Sequence, residues 1–267
     1  MSKDMNEQRA KLLLRESSED VLKKLEDDPK NPDLWYSLGV SLSDEKGFDE
    51  GIDAFSQGIA YSPFNASLYF ARGRKYIGLQ RFWRSISDLT LAIRLDPDKW
   101  SHWYYRAVCY NLNKCYEESI YDLHQCLRLT EEEEHYPLVD WLFHNYVDMG
   151  EMEKAKAVLD LIDADVVPPT MDYGYRRQVL LYKGIISPEE LIDLEDIKKN
   201  SLVKDNVPGR MELETTSITI GHYVYYTYIG DTEKANEALL KITTFEPSAA
   251  FAYLKGVALA KERGLID

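Results

Sequence analysis

The sequence predicts an all-α fold, an α-solenoid of stacked antiparallel helix pairs, and three observations carry that prediction. The first is a period. Trp35, Tyr69 and Trp103 recur at a spacing of thirty-four residues, and Gly39, Gly73 and Ala107 recur in the same register. So do Leu42, Tyr76 and Tyr110, then Phe48, Phe82 and Tyr116, then Gly51, Ser85 and Ser119. Phe55, Leu89 and Leu123 follow, with Gly58, Ala92 and Cys126, and Ile59, Ile93 and Leu127. Columns aligned at one such period mark an array of supersecondary units that bury their apolar faces against each other. The second observation is the spacing inside a unit. From Trp35 the apolar and small residues fall at intervals of three, one and three, and from Gly51 at four, three and one, which is a helical stripe and not the alternation of a strand. The third is punctuation. Pro29, Pro63 and Pro97 form a column that ends each second helix by removing an amide donor, and Glu131 breaks it. The connections at Asp44 to Gly47, Leu79 to Arg81 and Asn113 to Lys114 are short enough to force the two helices antiparallel.

Taken in order, residues 1–31 read as N-terminal capping helices. Asn6 to Glu16 pairs with a second helix in which Val21, Leu25 and Pro29 repeat Phe55, Ile59 and Pro63 one period earlier. Lys23, Lys24, Glu26 and Asp27 suit the polar outer face of a terminal repeat. Residues 32–131 are three regular repeats. Glu131 to Glu134 then inserts about two residues and shifts the register. Residues 132–199 form two divergent repeats: a helix at Pro137 to Asp148, a turn at Gly150, a helix at Glu151 to Ile162, and a helix at Met171 to Tyr182 stopped by Gly184. Ser187-Pro188-Glu189-Glu190 reads as N-cap, first-turn proline and capping glutamate for a helix reaching about Lys199. Residues 200–213 are a loop insertion, lying either over one face of the array or on its outside. Residues 214–267 close the chain with a helix at Glu214 to Tyr228, a turn at Ile229-Gly230-Asp231 and a second helix in which Ala235, Leu239 and Pro247 are spaced like Gly51, Phe55 and Pro63. A capping helix over 248–264 covers the end of the stack with Ala250, Tyr253, Gly256, Val257 and Ala260.

Composition narrows the function. With 267 residues, 45% of them hydrophobic and 12% aromatic, one elongated domain can bury a large core. No run approaches the roughly 20 apolar residues that span a bilayer, and the polar start, Met1 to Arg9, is unlike a secretory signal. A net charge of −14 repels a phosphate backbone, which argues against nucleic acid as partner. One basic concentration stands out at Arg72, Arg74, Lys75, Arg81, Arg84 and Arg94. It is either a set of solvated and salt-bridged helix surfaces or an anchor for an acidic group of a ligand, with Arg74 the residue of interest. The three cysteines all lie in the third repeat and lack a CxxC spacing. Cys109 and Cys126 fall on core columns and Cys115 at a turn, which predicts free thiols and fits a reducing cytoplasm. The glutamate run is a solvated helix start or a contact for calcium or a basic partner. His135, Asp140 and His144 share a helix face and read as wet bystanders, not as metal ligands. With no phosphate loop, HExxH, dinucleotide turn or nucleophile elbow, neither enzyme activity nor a cofactor or metal is expected.

Trp35, Leu38, Gly39, Phe55 and Pro63 together resemble the signature of the tetratricopeptide repeat (TPR) family, with Leu42 where Tyr is usual and Gly51 for Ala. The next two repeats restore Tyr76 and Tyr110 but place Arg72 and Arg106 where Leu is usual. The resemblance implies a right-handed superhelix of about six repeats with terminal capping helices, in which the first helix of each pair lines a concave groove. Carried onto this sequence, the groove places hold Tyr36, Val40, Phe70, Arg74, Tyr104 and Val108. In the looser repeats they hold Asp140, His144, Gly174, Gln178, Ile220 and Val224, with Tyr105, Trp141 and Tyr175 beside them. The ladder Tyr36, Phe70, Tyr104 suits a peptide, or its rungs stack on one another and tighten the inner curve. Family members that bind chaperone C-terminal tails use Lys and Asn at places that here hold Tyr36, Val40, Ala71, Ser101 and Tyr105, so the carboxylate clamp is absent and such tails are not expected partners. The expectation is therefore an intracellular interaction scaffold, or adaptor, that binds a peptide or protein segment in an aromatic-lined groove. The alternative is a regulatory sensor of a short signalling peptide or other small ligand.

Overall fold

A helix needs acceptors for the amide donors of its first turn, and the sequence supplies them at the same place in successive repeats. In the computed structural model, which describes residues 16–169, 172–200, 210–246, 248 and 250–267, the Asn31 side chain accepts from the amides of Asp33 and Leu34, and Asn65 accepts from those of Ser67 and Leu68. Fourteen α-helices and no strand occur among the described residues. They belong to two compact units, one ending at Cys109 and the other starting at Tyr110. Both are built of consecutive helix pairs, as an α-solenoid requires.

The first unit holds α1 (Ser18–Asp27), α2 (Pro32–Glu45), α3 (Phe48–Tyr61), α4 (Ala66–Gly78), α5 (Phe82–Leu95) and most of α6 (Trp100–Leu112). Helices α1 to α5 each pack on the next, and α2 also reaches α4. The expected helix at Asn6 to Glu16 lies, apart from Glu16, outside the described residues. Helix α1 is where Val21 and Leu25 place it: both are buried with Leu38 and Ala54, and Leu34, Trp35 and Leu42 pack around them. The backbone and side chain of Ser18 both donate to the Glu45 carboxylate, which holds its pKa below the usual value.

Close approach explains the small columns. A Cβ on Gly39 would stand 2.4 Å from the Phe55 ring, and one on Gly58 would stand 2.7 Å from Cβ of Trp35. The large column fills what the small one vacates, and Phe55, Leu68 and Leu89 are fully buried. The Trp and Pro columns meet through a hydrogen bond. Trp35 Nε1 donates to the Pro29 carbonyl at 2.8 Å, Tyr69 OH to that of Pro63 at 3.1 Å and Trp103 Nε1 to that of Pro97 at 2.8 Å. A ring that packs on one side and caps a stranded carbonyl on the other satisfies the end of the preceding helix.

The second unit holds α7 (Tyr116–Leu129), a 3-10 turn at Glu132–Glu134, α8 (Tyr136–Asp148), α9 (Met152–Val158) running into a 3-10 turn at Leu159–Leu161, α10 (Tyr173–Tyr182), α11 (Leu194–Asn200), α12 (Arg210–Tyr228), α13 (Thr232–Ile242) and α14 (Phe251–Glu262). Helix α8 touches α7, α9, α10 and α12, and every residue from Tyr136 to Asn145 is buried. The glutamate run is a turn rather than the start of α8, and Glu132 accepts the amide of Asp163.

Two expectations of the sequence are corrected here. No helix starts at Ser187: residues 188–192 are turns, and α11 begins only at Leu194, with the Asp193 carboxylate accepting from the amides of Glu195 and Asp196. Arg177 reaches from α10 to the carbonyls of Glu190 and Leu191 and takes acceptors that a helix there would have used. Helix α12 starts at Arg210 and not at Glu214, so the proposed insertion is shorter. Residues 201–209 and Pro247 lie outside the described residues.

Two substitutions test this packing. Gly39→Ala drives a methyl into the Phe55 ring and should lower stability by about 1–3 kcal/mol in chemical denaturation. Gln80 ends the α4 turn at a φ of 55°, a region costly for any residue with a Cβ. Gln80→Gly should raise stability by about 0.5–1 kcal/mol by the same measurement.

Candidate functional site

Seven of the fifteen residues expected to line or flank a groove fall in the first unit and eight in the second. In the first unit the structure assembles an aromatic surface around one cation. Arg74, exposed on α4, lays its guanidinium 4.6 Å from the centre of the Tyr105 ring and 5.7 Å from that of Phe70. The Phe70 and Tyr105 rings stand edge to face at 5.4 Å, and Phe70 also packs on His102 at 4.9 Å. His102 is buried, which pushes its pKa down, while its Nδ1 lies 3.3 Å from the Asp96 carbonyl. A neutral imidazole under Phe70 leaves Arg74 as the cation of this surface.

The other members of the basic concentration have different tasks. Arg72 is held by Asp88 through two hydrogen bonds of 2.8 Å and by the Ser56 hydroxyl at 2.9 Å. Its place in the repeat, where Leu is usual, has thus become a partly buried polar tie between α3, α4 and α5, and the bond to Asp88 raises its pKa further. Arg81 pairs with Asp49, and Arg84 lies over the Tyr76 ring. Among the described residues Arg74 has no carboxylate at ion-pair distance; rings alone position it.

Tyr36 is exposed and leans on Phe55 of its own hairpin at 6.0 Å, while Val40 packs half-buried against the core of Phe55, Leu68 and Ala71. Tyr104 and Val108 are corrections: both are buried, Tyr104 against Trp100 and Tyr105. The third rung of the ladder therefore belongs to the core, and its neighbour Tyr105 takes the surface position beside Phe70.

The second unit departs further from expectation. Trp141 and His144 are 3% and 1% exposed, so neither offers surface to a partner. His144 Nε2 lies 3.1 Å from the Tyr182 hydroxyl, Asp140 is equally enclosed, and the wet helix face read from the sequence is a buried polar cluster. Burial and the nearby Asp140 push the Tyr182 phenol upward. Trp141 is covered by Phe251, at 6.5 Å between rings, and by the Lys255 ammonium at 5.5 Å. Tyr175 is half-buried on α10. Sequence reasoning missed Lys255, a cation in the middle of α14; a lysine on a helix face lined by Ala252, Gly256 and Ala260 was the available signal. It also missed Asp148, which that lysine meets at 2.7 Å. No group of three His, Cys, Asp or Glu side chains among the described residues is placed to hold a metal, and no described helix is long and apolar enough to cross a membrane.

No protein-family model and no curated protein matches the chain. Solved structures do match it. A tetratricopeptide repeat protein from Parabacteroides merdae superposes with a TM-score of 0.58 at 13% identity, over 89% of this chain and 90% of its own. The chain has the TPR fold. YrrB, described as a TPR protein with an unusual peptide-binding site, aligns over 94% of this chain and all of its own with a TM-score of 0.51 at 12% identity. MamA aligns over 58% of this chain and 84% of its own with a TM-score of 0.51 at 16% identity. At such identities the likeness concerns the TPR scaffold, and each member's surface is its own.

Asp172, just before α10, gives the second unit a pH dependence. Burial, then the carboxylates of Glu134 and Glu214, push its pKa up to about 7. An unfolded chain releases that proton near pH 3.9, so between about 4 and 7 the folded state holds a proton that the unfolded state lacks. The stability this contributes is full below the unfolded value and is lost as pH rises through about 7. Asp172→Asn should flatten the loss between pH 5 and 8 in denaturation midpoints, leaving the variant more stable than wild type at pH 8.

Proposed function

We propose that this TPR chain is an intracellular protein-interaction scaffold, and that its first unit binds a peptide or protein segment presenting a carboxylate to Arg74. The single observation that carries the reading is a guanidinium laid against Tyr105 and Phe70 with no acidic partner among the described residues. Such a cation is oriented before any ligand arrives. Its donors remain available for the bidentate geometry a carboxylate prefers, and less side-chain freedom is lost on binding than for an unsupported arginine. Phe70, Tyr105 and exposed Tyr36 supply rigid apolar area on which a peptide backbone or side chain can lie. The protein is strongly acidic overall, so a local cation also orients an acidic segment that the rest of the surface repels. The description of YrrB as a peptide-binding TPR protein supports a peptide as the ligand class.

Arg74 is exposed and forms no ion pair among the described residues, so replacing it should leave the fold alone. Arg74→Glu is expected to keep the far-UV spectrum and melting temperature of the wild type. It should weaken binding to carboxylate-bearing peptides on an array by at least tenfold, about 1.4 kcal/mol, as read by fluorescence anisotropy. Equal binding by wild type and R74E across the array would remove Arg74 from the site.

A further inference from the structure

Helix α5 turns one face into the first unit and leaves the other to solvent. Ser85, Ile86, Asp88, Leu89, Ala92 and Ile93 are its buried side chains. Away from them, Trp83, Ser87, Leu91 and Leu95 follow one another at intervals of four, so they lie along one stripe of the helix. Trp83 is 62% exposed, Leu91 38% and Leu95 36%. Ser87 between them is small, and its hydroxyl turns back to the Trp83 carbonyl at 2.9 Å. The stripe is an open apolar ridge about 18 Å long.

The repeat does not require this ridge. One period earlier, on α3, the same places hold Asp49, Asp53, Gln57 and Tyr61, all exposed. The array forms there with two carboxylates where α5 has an indole and a serine. Charge changes along with polarity. Arg84 and Arg94 fall on the same side of α5 as the ridge and are exposed, where α3 has Glu50 and Ala60. Arg84 lies over the Tyr76 ring at 5.8 Å, and neither arginine has a carboxylate at ion-pair distance among the described residues. In a chain of net charge −14, two uncompensated cations beside exposed apolar side chains invert the character of the surface locally.

We infer that the outer face of α5 is a docking surface for an acidic amphipathic helix of a partner protein. An apolar stripe on such a helix packs along Trp83, Leu91 and Leu95, and carboxylates flanking the stripe meet Arg84 and Arg94. Tryptophan and arginine are the side chains that contribute most when a contact of this kind buries them. Charge selects the occupant. An extended anionic membrane would meet the acidic remainder of the chain as well as the two arginines and be repelled. A single helix along α5 is screened from distant carboxylates, since charges act over only about 8 Å at physiological salt. The surface lies on a different helix from Arg74 and uses different side chains, so either can fail without the other.

The test uses the full chain and a labelled, hydrocarbon-stapled peptide of leucine and glutamate whose leucines form one stripe. In fluorescence anisotropy it should bind wild type with a Kd of about 100 μM or tighter, and a stapled peptide of the same composition without the stripe at least about tenfold more weakly. Trp83→Ser and the double variant Arg84→Glu/Arg94→Glu change exposed side chains only. Each should keep the melting temperature and weaken the striped peptide at least about tenfold, while Arg74→Glu leaves its binding unchanged. Absence of saturable binding up to about 1 mM, equal binding of the stripeless peptide, or a loss in R74E but not in W83S would overturn the proposal. So would cosedimentation of wild type with phosphatidylserine-containing vesicles that W83S abolishes, which assigns the ridge to a membrane. A wild-type dimer that W83S dissociates would assign it to a second copy of the chain and overturn the proposal equally.

Discussion

The constraint on which the rest depends is the distance between paired helices. Where Gly39 faces Phe55 there is no room for a single added methyl, and the same opposition of small and large residues recurs at Gly73 and Leu89, where a Cβ would stand 3.1 Å from the leucine. Once backbones approach that closely, each crossing is set, and the repeat can only be copied at a fixed interval. The hydrogen bond from the Trp column to the Pro carbonyl works at the other end of each unit. It ties the start of one hairpin to the finish of the one before, so that the aromatic column is as much a cap as a core residue.

Departures from the repeat show where polar chemistry has been admitted. Arg72 replaces an apolar residue and is compensated by Asp88 and Ser56, a substitution that keeps the interior satisfied at the cost of desolvating a charge. Its neighbour two residues on, Arg74, has no such carboxylate among the described residues and rests there on aromatic faces. Two arginines in one turn of α4 thus divide between holding the array together and facing outward. The division follows from which side of the helix each occupies.

The second unit spends its inner helix on its own stability. Asn145 of α8 donates to Ser119 and accepts from Asn111, His144 meets Tyr182, and Phe143 stacks on Tyr182 at 4.2 Å. These polar groups are enclosed and mutually bonded, which specifies one arrangement of α8 among its neighbours. Trp141 and Asp148 of α8 meet a helix from the far end of the chain, Trp141 through the Phe251 ring and Asp148 through the Lys255 ammonium.

The architecture was legible from periodicity because it depends on local pattern. Helical stripes and close-packed small columns are written within each thirty-four-residue stretch, and so the first three repeats emerge from spacing alone. The start of α11 was not, since Arg177 competes for its carbonyls from another helix. Surface position was only partly legible. Arg74 is exposed and Phe70 half-buried, but Tyr104 and Val108 are enclosed, and Trp141 and His144 are covered by elements far along the chain. Sequence by itself determined which faces are helical and which residues could meet within a hairpin. Only the tertiary structure decided which of those faces remains open, because burial there depends on contacts such as Lys255 with Asp148, whose partners no repeat pattern brings together.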